Sequence, residues 1–176
     1  MKIKKGLSIA YFGNGKGKTT SAIGLVVRAV GCGKQVGFIQ FIKGDWKSSE
    51  EKALKKLGVT VEKMGLGFIG IENDQISLGN HKKAAREAFD KSLEYSKQDV
   101  LFLLVLDEIF GAVKAGFISE SEICDLIEKR NPNLNIVLTG RPKYSKINAS
   151  SDLVTEFKEI KHPFETGVLA KEGIDF

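Results

Sequence analysis

Residues 7–20 read LSIAYFGNGKGKTT, a short apolar run that passes into a glycine-rich loop and then into Lys18, Thr19 and Thr20. The apolar run predicts a β-strand, because it is short and ends at a glycine. Apolar residues recur at helical spacing from Ile23 to Val30, which predicts a helix directly after the loop. Strand, glycine loop and helix in this order are the unit from which parallel α/β sheets are built.

The same alternation of strand and helix continues along the whole chain. Further apolar runs predict five more strands, at residues 36–42, 59–63, 101–106, 134–138 and 153–160. The run at 101–106 is continuously apolar, which is typical of a central parallel strand that is covered on both faces. We therefore predict a single α/β domain over residues 1–176, with a mainly parallel sheet and right-handed crossovers.

Helices are predicted between these strands from apolar spacing and from capping residues. Their expected ranges are 50–57, 81–96, a helix that starts at Ser119, and 144–148. Asn80 is the predicted cap of the long second helix, and Ser119 with Glu122 three residues later forms a capping box. A glycine-rich loop at 64–74 is long for its neighbours, and long ordered loops are often functional.

Composition excludes several classes of protein. The 176 residues are 42% hydrophobic and 28% charged, enough to form a core and unlike a disordered chain. No apolar run approaches the roughly 20 residues that span a bilayer, so we expect no membrane association. Cys32 and Cys124 have no metal-ligand spacing and are interpreted as reduced thiols of a cytoplasmic protein.

The net charge of +5 raises the possibility of a nucleic-acid partner. The lysine clusters 55–56 and 82–83, however, fall in predicted helices beside acidic residues. Solvated helix faces are therefore the favoured interpretation, and no nucleic acid is expected as a partner. A moderate positive charge also suits a protein that binds a polyphosphate.

The loop resembles a phosphate-binding P-loop that is one residue too short. The common pattern has four residues between its glycines, whereas Gly13 and Gly17 enclose three, and Phe12 stands where the longer pattern has glycine. Glycines allow backbone amides to approach phosphate oxygens, and the dipole of the following helix favours an anion. The alternative is a plain glycine turn, which has no need of Gly-Lys-Thr-Thr. Together with the strands, the loop predicts a three-layer P-loop NTPase domain of the RecA-like kind.

Two further motifs follow predicted strands at the same sheet edge. Asp107 and Glu108 end the apolar run at 101–106 in the manner of a Walker B strand, close to where phosphates and Mg²⁺ are expected. Arg141 follows the strand at 134–138 and is able to bind a phosphate with two hydrogen bonds. The alternatives are carboxylates that cap a following helix and a surface arginine in a turn.

The chain resembles the P-loop type of ATP:corrinoid adenosyltransferase, or cob(I)yrinic acid a,c-diamide adenosyltransferase, over nearly its whole length. The segments that carry the resemblance are 13–20, 28–31, 40–44, 106–108, 139–141, 161–164 and 173–176. The resemblance implies that Co(I) of a reduced corrinoid attacks the 5′ carbon of ATP and that triphosphate leaves. It also implies that the nucleotide lies in the loop in the reversed sense.

The resemblance assigns roles to individual residues. It implies ATP binding by Gly13, Asn14, Gly15, Lys16, Gly17, Lys18, Thr19, Thr20, Arg28 and Arg141. Lys18 and Arg141 are the implied catalytic residues, and Thr19 and Glu108 the implied ligands of Mg²⁺. The implied corrinoid-binding residues are Trp46 and Phe68, for which ordinary core aromatics are the alternative. Gly70 stands where the family often has tryptophan.

The resemblance also implies partners: an electron-donating reductase or flavodoxin-like protein, and a second copy of the chain in a homodimer. Two rival functions remain open from the residues alone. One is another P-loop ATPase or small-molecule kinase, although the arginine-rich lid typical of a kinase is missing from the sequence. The other is a nucleotide-binding module without catalysis.

Overall fold

The computed structural model describes residues 6–42, 44, 49–67, 69 and 75–175. The strands are β1 (Ser8–Phe12), β2 (Gln35–Gln40), β3 (Thr60–Lys63), β4 (Leu101–Asp107), β5 (Asn135–Thr139) and β6 (Leu153–Glu156). The helices are α1 (Lys18–Gly31), α2 (Ser49–Lys56), α3 (Leu78–Ser96), α4 (Ile109–Lys114), α5 (Glu120–Lys129) and α6 (Ser145–Ser150). A 3₁₀ turn covers Pro163–Thr166.

The six strands form one sheet in the order β3-β2-β4-β5-β1-β6, and every neighbouring pair is parallel. The strand that leads into the glycine loop, β1, is separated from β4 by β5. The carboxyl ends of these three strands therefore lie side by side. In an open α/β sheet such an edge is where ligands bind.

Helices cover both faces of the sheet, which confirms the predicted three-layer α/β architecture. On one face, α1 and α2 bury Ala22, Val26 and Leu54 against alternate residues of the strands. On the other face, α3 to α6 form a larger core around Phe89 and Phe110. Because both faces are covered, β4 is buried along almost its whole length, as its continuous apolar sequence predicts.

The two predicted helix caps have different outcomes. The capping box at the start of α5 is confirmed: the Ser119 hydroxyl accepts from Glu122 N–H, and the Glu122 carboxylate accepts from Ser119 N–H. Asn80 does not cap α3. The helix starts earlier, and its cap is Ser77, whose hydroxyl accepts from the Asn80 N–H. The apolar spacing did not reveal this extra turn because its residues are exposed.

Two strands are shorter than predicted. β2 ends at Gln40 rather than Ile42, because the carbonyl of Gln40 is taken by the N–H groups of Met64 and Gly65 as that segment crosses close to Ile42. β6 ends at Glu156 rather than residue 160, because the chain turns at Phe157 onto the glycine loop. The short α4 was not predicted.

No helix among the described residues is long and apolar enough to cross a membrane.

Candidate active site

The glycine loop between β1 and α1 is fixed by its backbone. Gly13 has a φ of 117° and Gly17, the residue before α1, a φ of 107°, in the region that side chains disfavour. Gly13 N–H donates to the carbonyl of Arg141 at 3.0 Å, and Gly15 N–H donates to the carbonyl of Phe157 at 2.9 Å. These two amides are therefore already bonded within the protein. The amides at the end of the loop and in the first turn of α1 are among those left to meet a phosphate.

The segment after β6 explains why the loop carries glycines. A Cβ at Gly13 would lie 2.2 Å from the carbonyl oxygen of Phe157, and one at Gly15 would lie 2.7 Å from the carbonyl carbon of Lys158. A Cβ at Gly17 would meet the Phe157 ring at 3.3 Å. The glycines are thus required by close packing against residues 157–158 as well as by backbone angles.

Lys18, the first residue of α1, folds back over the loop that precedes it. Its ammonium donates to the carbonyls of Gly13 at 2.7 Å and of Gly15 at 2.8 Å, and the residue is only 6% exposed. Burial lowers the pKa of Lys18, while the negative charge of Glu108 opposes that shift. An ammonium has three donors, so two hold the loop and the third is left for a phosphate oxygen.

Thr19 lies against a buried carboxylate at the end of β4. Its hydroxyl donates to Asp107 Oδ1 at 2.9 Å, and the Thr139 hydroxyl from β5 donates to the same oxygen at 2.9 Å. Thr139 in turn accepts from the N–H of Glu108 at 2.8 Å. Asp107 is 1% exposed. Since β5 lies between β1 and β4, Thr139 joins the loop side of the site to its carboxylate side.

Glu108 has an unusual backbone conformation. Its φ of 59° makes it the only non-glycine residue with positive φ among the described residues. A left-handed conformation costs a residue with a Cβ roughly 1 kcal/mol or more, and residues held in it cluster at functional sites. The turn brings Glu108 to the wall of a cavity that Lys18 and Thr19 also line.

That cavity has a volume of about 430 Å³ and lies at the carboxyl edge of the sheet. This is within the usual range for a small-molecule site. Most of the predicted ATP and metal residues line it, namely Asn14, Gly15, Lys16, Gly17, Lys18, Thr19, Thr20, Glu108 and Arg141. Gly13 is buried in the loop backbone beneath it. Arg28 is exposed in the last turn of α1, about 15 Å along the helix from Lys18, and does not line the cavity.

Trp46 and Phe68, the predicted corrinoid-binding residues, lie outside the described residues. Their described neighbours show only that two segments meet. A Cβ at Gly44 would lie 2.7 Å from the backbone of Leu66, and Gly67 N–H donates to the carbonyl of Ile42 at 2.7 Å.

Sequence reasoning missed several contributors to this region. Ser49 and Glu50 from α2 line one side of the cavity, and the C-terminal segment 173–175 lines another. Gln40 is 1% exposed and paired in register with Asp107 on the same face of the sheet, and neither atom of its amide has a hydrogen-bond partner among the described residues. The register of parallel strands is the signal that places Gln40 beside Asp107. The tail gave no such periodic signal.

The donor set suits Mg²⁺. The Thr19 hydroxyl and the carboxylates of Asp107 and Glu108 are hard oxygen ligands, and they converge beside the cavity where a polyphosphate would supply further oxygens. Asp107, which the sequence places with Glu108 at this sheet edge, is in direct contact with Thr19.

Comparison with known proteins identifies the family of the chain. The chain matches the family model described as ATP:corrinoid adenosyltransferase BtuR/CobO/CobP over residues 4–176. It is 35% identical over 173 residues to the corrinoid adenosyltransferase of Escherichia coli K12, covering 98% of this chain and 87% of that protein. It is 34% identical to corrinoid adenosyltransferase CobA of Salmonella typhimurium LT2, with the same coverage.

Among solved structures, the RadB recombinase is similar in fold, with a TM-score of 0.52 at 11% identity over 90% of this chain and 77% of that one. This likeness supports the RecA-like fold alone. The family match spans almost all of the chain, and the matched range includes the cavity lining from Asn14 to Thr20. The chain therefore belongs to the ATP:corrinoid adenosyltransferase family.

Proposed function

We propose that this chain transfers the 5′-deoxyadenosyl group of ATP to Co(I) of a reduced corrinoid and releases triphosphate. The observation that carries the proposal is the cavity at the sheet edge. In a chain of this family, it brings Lys18, Thr19, Glu108 and Arg141 together. Formation of a cobalt–carbon bond together with free triphosphate tests the assignment. The activity belongs to the synthesis or salvage of cobalamin.

The chemistry requires alignment more than proton transfer. The electron pair of Co(I) forms the bond to the 5′ carbon, and the electrons of the broken carbon–oxygen bond leave with triphosphate. No general base is needed, so the protein has to hold the two reactants in line and stabilise charge that develops on the leaving group. Lys18, Arg141 and the N-terminus of α1 are proposed to do this, and both side chains line the cavity.

Lys18 is proposed to stabilise the charge that develops on the leaving triphosphate. In the structure its ammonium is held by two loop carbonyls, so it is already positioned before a phosphate arrives. A positioned cation costs less to reorganise as charge develops on the leaving oxygen. Lys16 and Arg141 are both exposed and line the same cavity, which suits a leaving group with several charged oxygens.

Thr19, Asp107 and Glu108 would hold Mg²⁺, which supplies charge neutralisation for the polyphosphate. Thr139 orders this group, because its hydroxyl bonds both the Asp107 carboxylate and the Glu108 N–H. Trp46 and Phe68 are proposed to bind the corrinoid on the family resemblance alone. The role of Arg28 in ATP binding stays a prediction from the family resemblance.

We further propose a homodimer, an electron-donating reductase or flavodoxin-like partner, and a place in the cytoplasm. The homodimer has support from large apolar side chains that the C-terminal segment exposes, including Phe164 and Leu169. The compartment has support from Cys32 and Cys124, which are both free thiols.

The backbone of Glu108 gives a test that separates function from folding. Asparagine tolerates the left-handed conformation better than other residues with a Cβ. Glu108→Asn should therefore keep or slightly raise the free energy of unfolding, while magnesium-dependent ATP binding weakens by about tenfold or more. Calorimetric titration with ATP, with and without Mg²⁺, measures the second effect. If ATP binding in the presence of Mg²⁺ is unchanged, Glu108 is not part of the metal site.

A further inference from the structure

The C-terminal segment forms one wall of the nucleotide cavity. Residues 173–175 line it from a tight turn that begins at Lys171. The N–H of Asp175 donates to the carbonyl of Lys171 at 2.8 Å, and Gly173 has a φ of 78°. The turn therefore holds the Asp175 side chain in a defined position.

The Asp175 carboxylate is bound at both of its oxygens. Oδ2 accepts from the backbone N–H of Lys171 at 2.8 Å, and Oδ1 forms an ion pair with the ammonium of Lys16 in the middle of the glycine loop. The Asp175 side chain is 15% exposed, whereas that of Lys16 is 55% exposed. The aspartate is thus the fixed member of the pair and the lysine the movable one.

This pair places a carboxylate where a polyphosphate is proposed to bind. Both residues line the cavity, so an anion that binds Lys16 has to compete with Asp175 for the ammonium. Ion pairs with one strongly exposed partner are weak, and an anion with several charges displaces them readily. Once Lys16 has turned to the phosphates, the Asp175 carboxylate remains as a like charge beside the polyphosphate and opposes its binding.

We infer that Asp175 is an exchangeable counter-ion of Lys16. It releases Lys16 when ATP enters, and it takes Lys16 back as triphosphate leaves, so that it limits product retention. This rests on the proposed function only in taking the glycine loop as the triphosphate site. Asp175 is thereby a residue that sets the affinity of the site for the leaving group.

Inorganic triphosphate is the direct probe, because it needs no corrinoid and no reductant. Asp175→Asn should tighten its binding about three- to tenfold, since the variant removes both the competitor and the like charge. Glu172→Gln is the matched control. It removes the same charge from the same segment, but Glu172 is exposed and does not line the cavity. The Glu172→Gln variant should bind triphosphate as tightly as the unaltered protein does.

The effect should shrink as salt rises, because the screening length falls from roughly 8 Å at physiological ionic strength to roughly 3 Å in 1 M salt. The gain from Asp175→Asn should also shrink in the Lys16→Gln background, because there is then no ammonium for Asp175 and triphosphate to compete for. If Asp175→Asn binds triphosphate no more tightly than Glu172→Gln, or if the gain persists undiminished in the Lys16→Gln background, the inference is wrong.

A failure of the proposed site would look different. In that case Lys18→Ala would bind triphosphate as well as the unaltered protein does. A thermal unfolding curve for each variant shows whether the C-terminal change has altered the fold. Steady-state turnover adds a second readout, because Asp175→Asn should be inhibited by triphosphate at about three- to tenfold lower concentration.

Discussion

Lys18→Ala is expected to weaken ATP binding or turnover by roughly 100-fold or more, because it removes the positioned charge that we propose hydrogen bonds the phosphates. The carbonyls of Gly13 and Gly15 hold the Lys18 ammonium in place. We therefore expect no neighbouring side chain to supply a positive charge at the same position in the variant. Equilibrium binding of ATP and the rate of triphosphate release measure the two effects.

The control for this change is Lys114→Ala. Lys114 is an exposed lysine in the last turn of α4 and does not line the cavity. Lys114→Ala removes one positive charge and should leave ATP binding within about twofold of the unaltered protein, as expected for a distant, screened charge. Full activity of Lys18→Ala would remove the glycine loop from the mechanism.

Gly13→Ala should have the largest effect on stability. The new Cβ would lie 2.2 Å from the Phe157 carbonyl oxygen, at a φ of 117° that alanine disfavours. Backbone strain and overpacking together are expected to lower the free energy of unfolding by about 2–5 kcal/mol. Because relief requires the loop to move, ATP affinity should fall as well. Chemical denaturation and ATP titration measure both.

Gly24→Ala is its matched control on the same strand–loop–helix unit. Gly24 is exposed within α1, and a Cβ there would have nothing within 4 Å. Alanine in a helix interior is favoured over glycine by roughly 0.5–1 kcal/mol, so this variant should be more stable than the natural chain. If both alanine variants changed stability alike, the close packing of Phe157 on the loop would not be the reason for Gly13.

Local patterns predicted the elements around the site well. The run at 101–106 became β4, buried as its unbroken apolar sequence requires, and the capping box at Ser119 starts α5 as expected. The order of strand, loop and helix also placed Lys18 and Thr19 at the start of α1. These features depend on neighbours in sequence, which periodicity and capping rules can detect.

Features that depend on distant contacts were not predictable in this way. The bonds of the loop amides to Arg141 and Phe157 join residues more than 120 positions apart. The same is true of the ion pair between Lys16 and Asp175. The short β6 follows from this packing too, since the chain leaves the sheet to cover the loop. No local pattern carries such information, whereas strand register does explain why Gln40 lies beside Asp107.

Product analysis after incubation with ATP, Mg²⁺ and chemically reduced corrinoid is the most direct test of the central claim. We expect an adenosylated corrinoid, seen by the absorption change that accompanies a cobalt–carbon bond, and one equivalent of intact triphosphate. Appearance of only ADP and phosphate would contradict the claim, because the loop would then hold a terminal phosphate about to be cleaved rather than a triphosphate that departs whole.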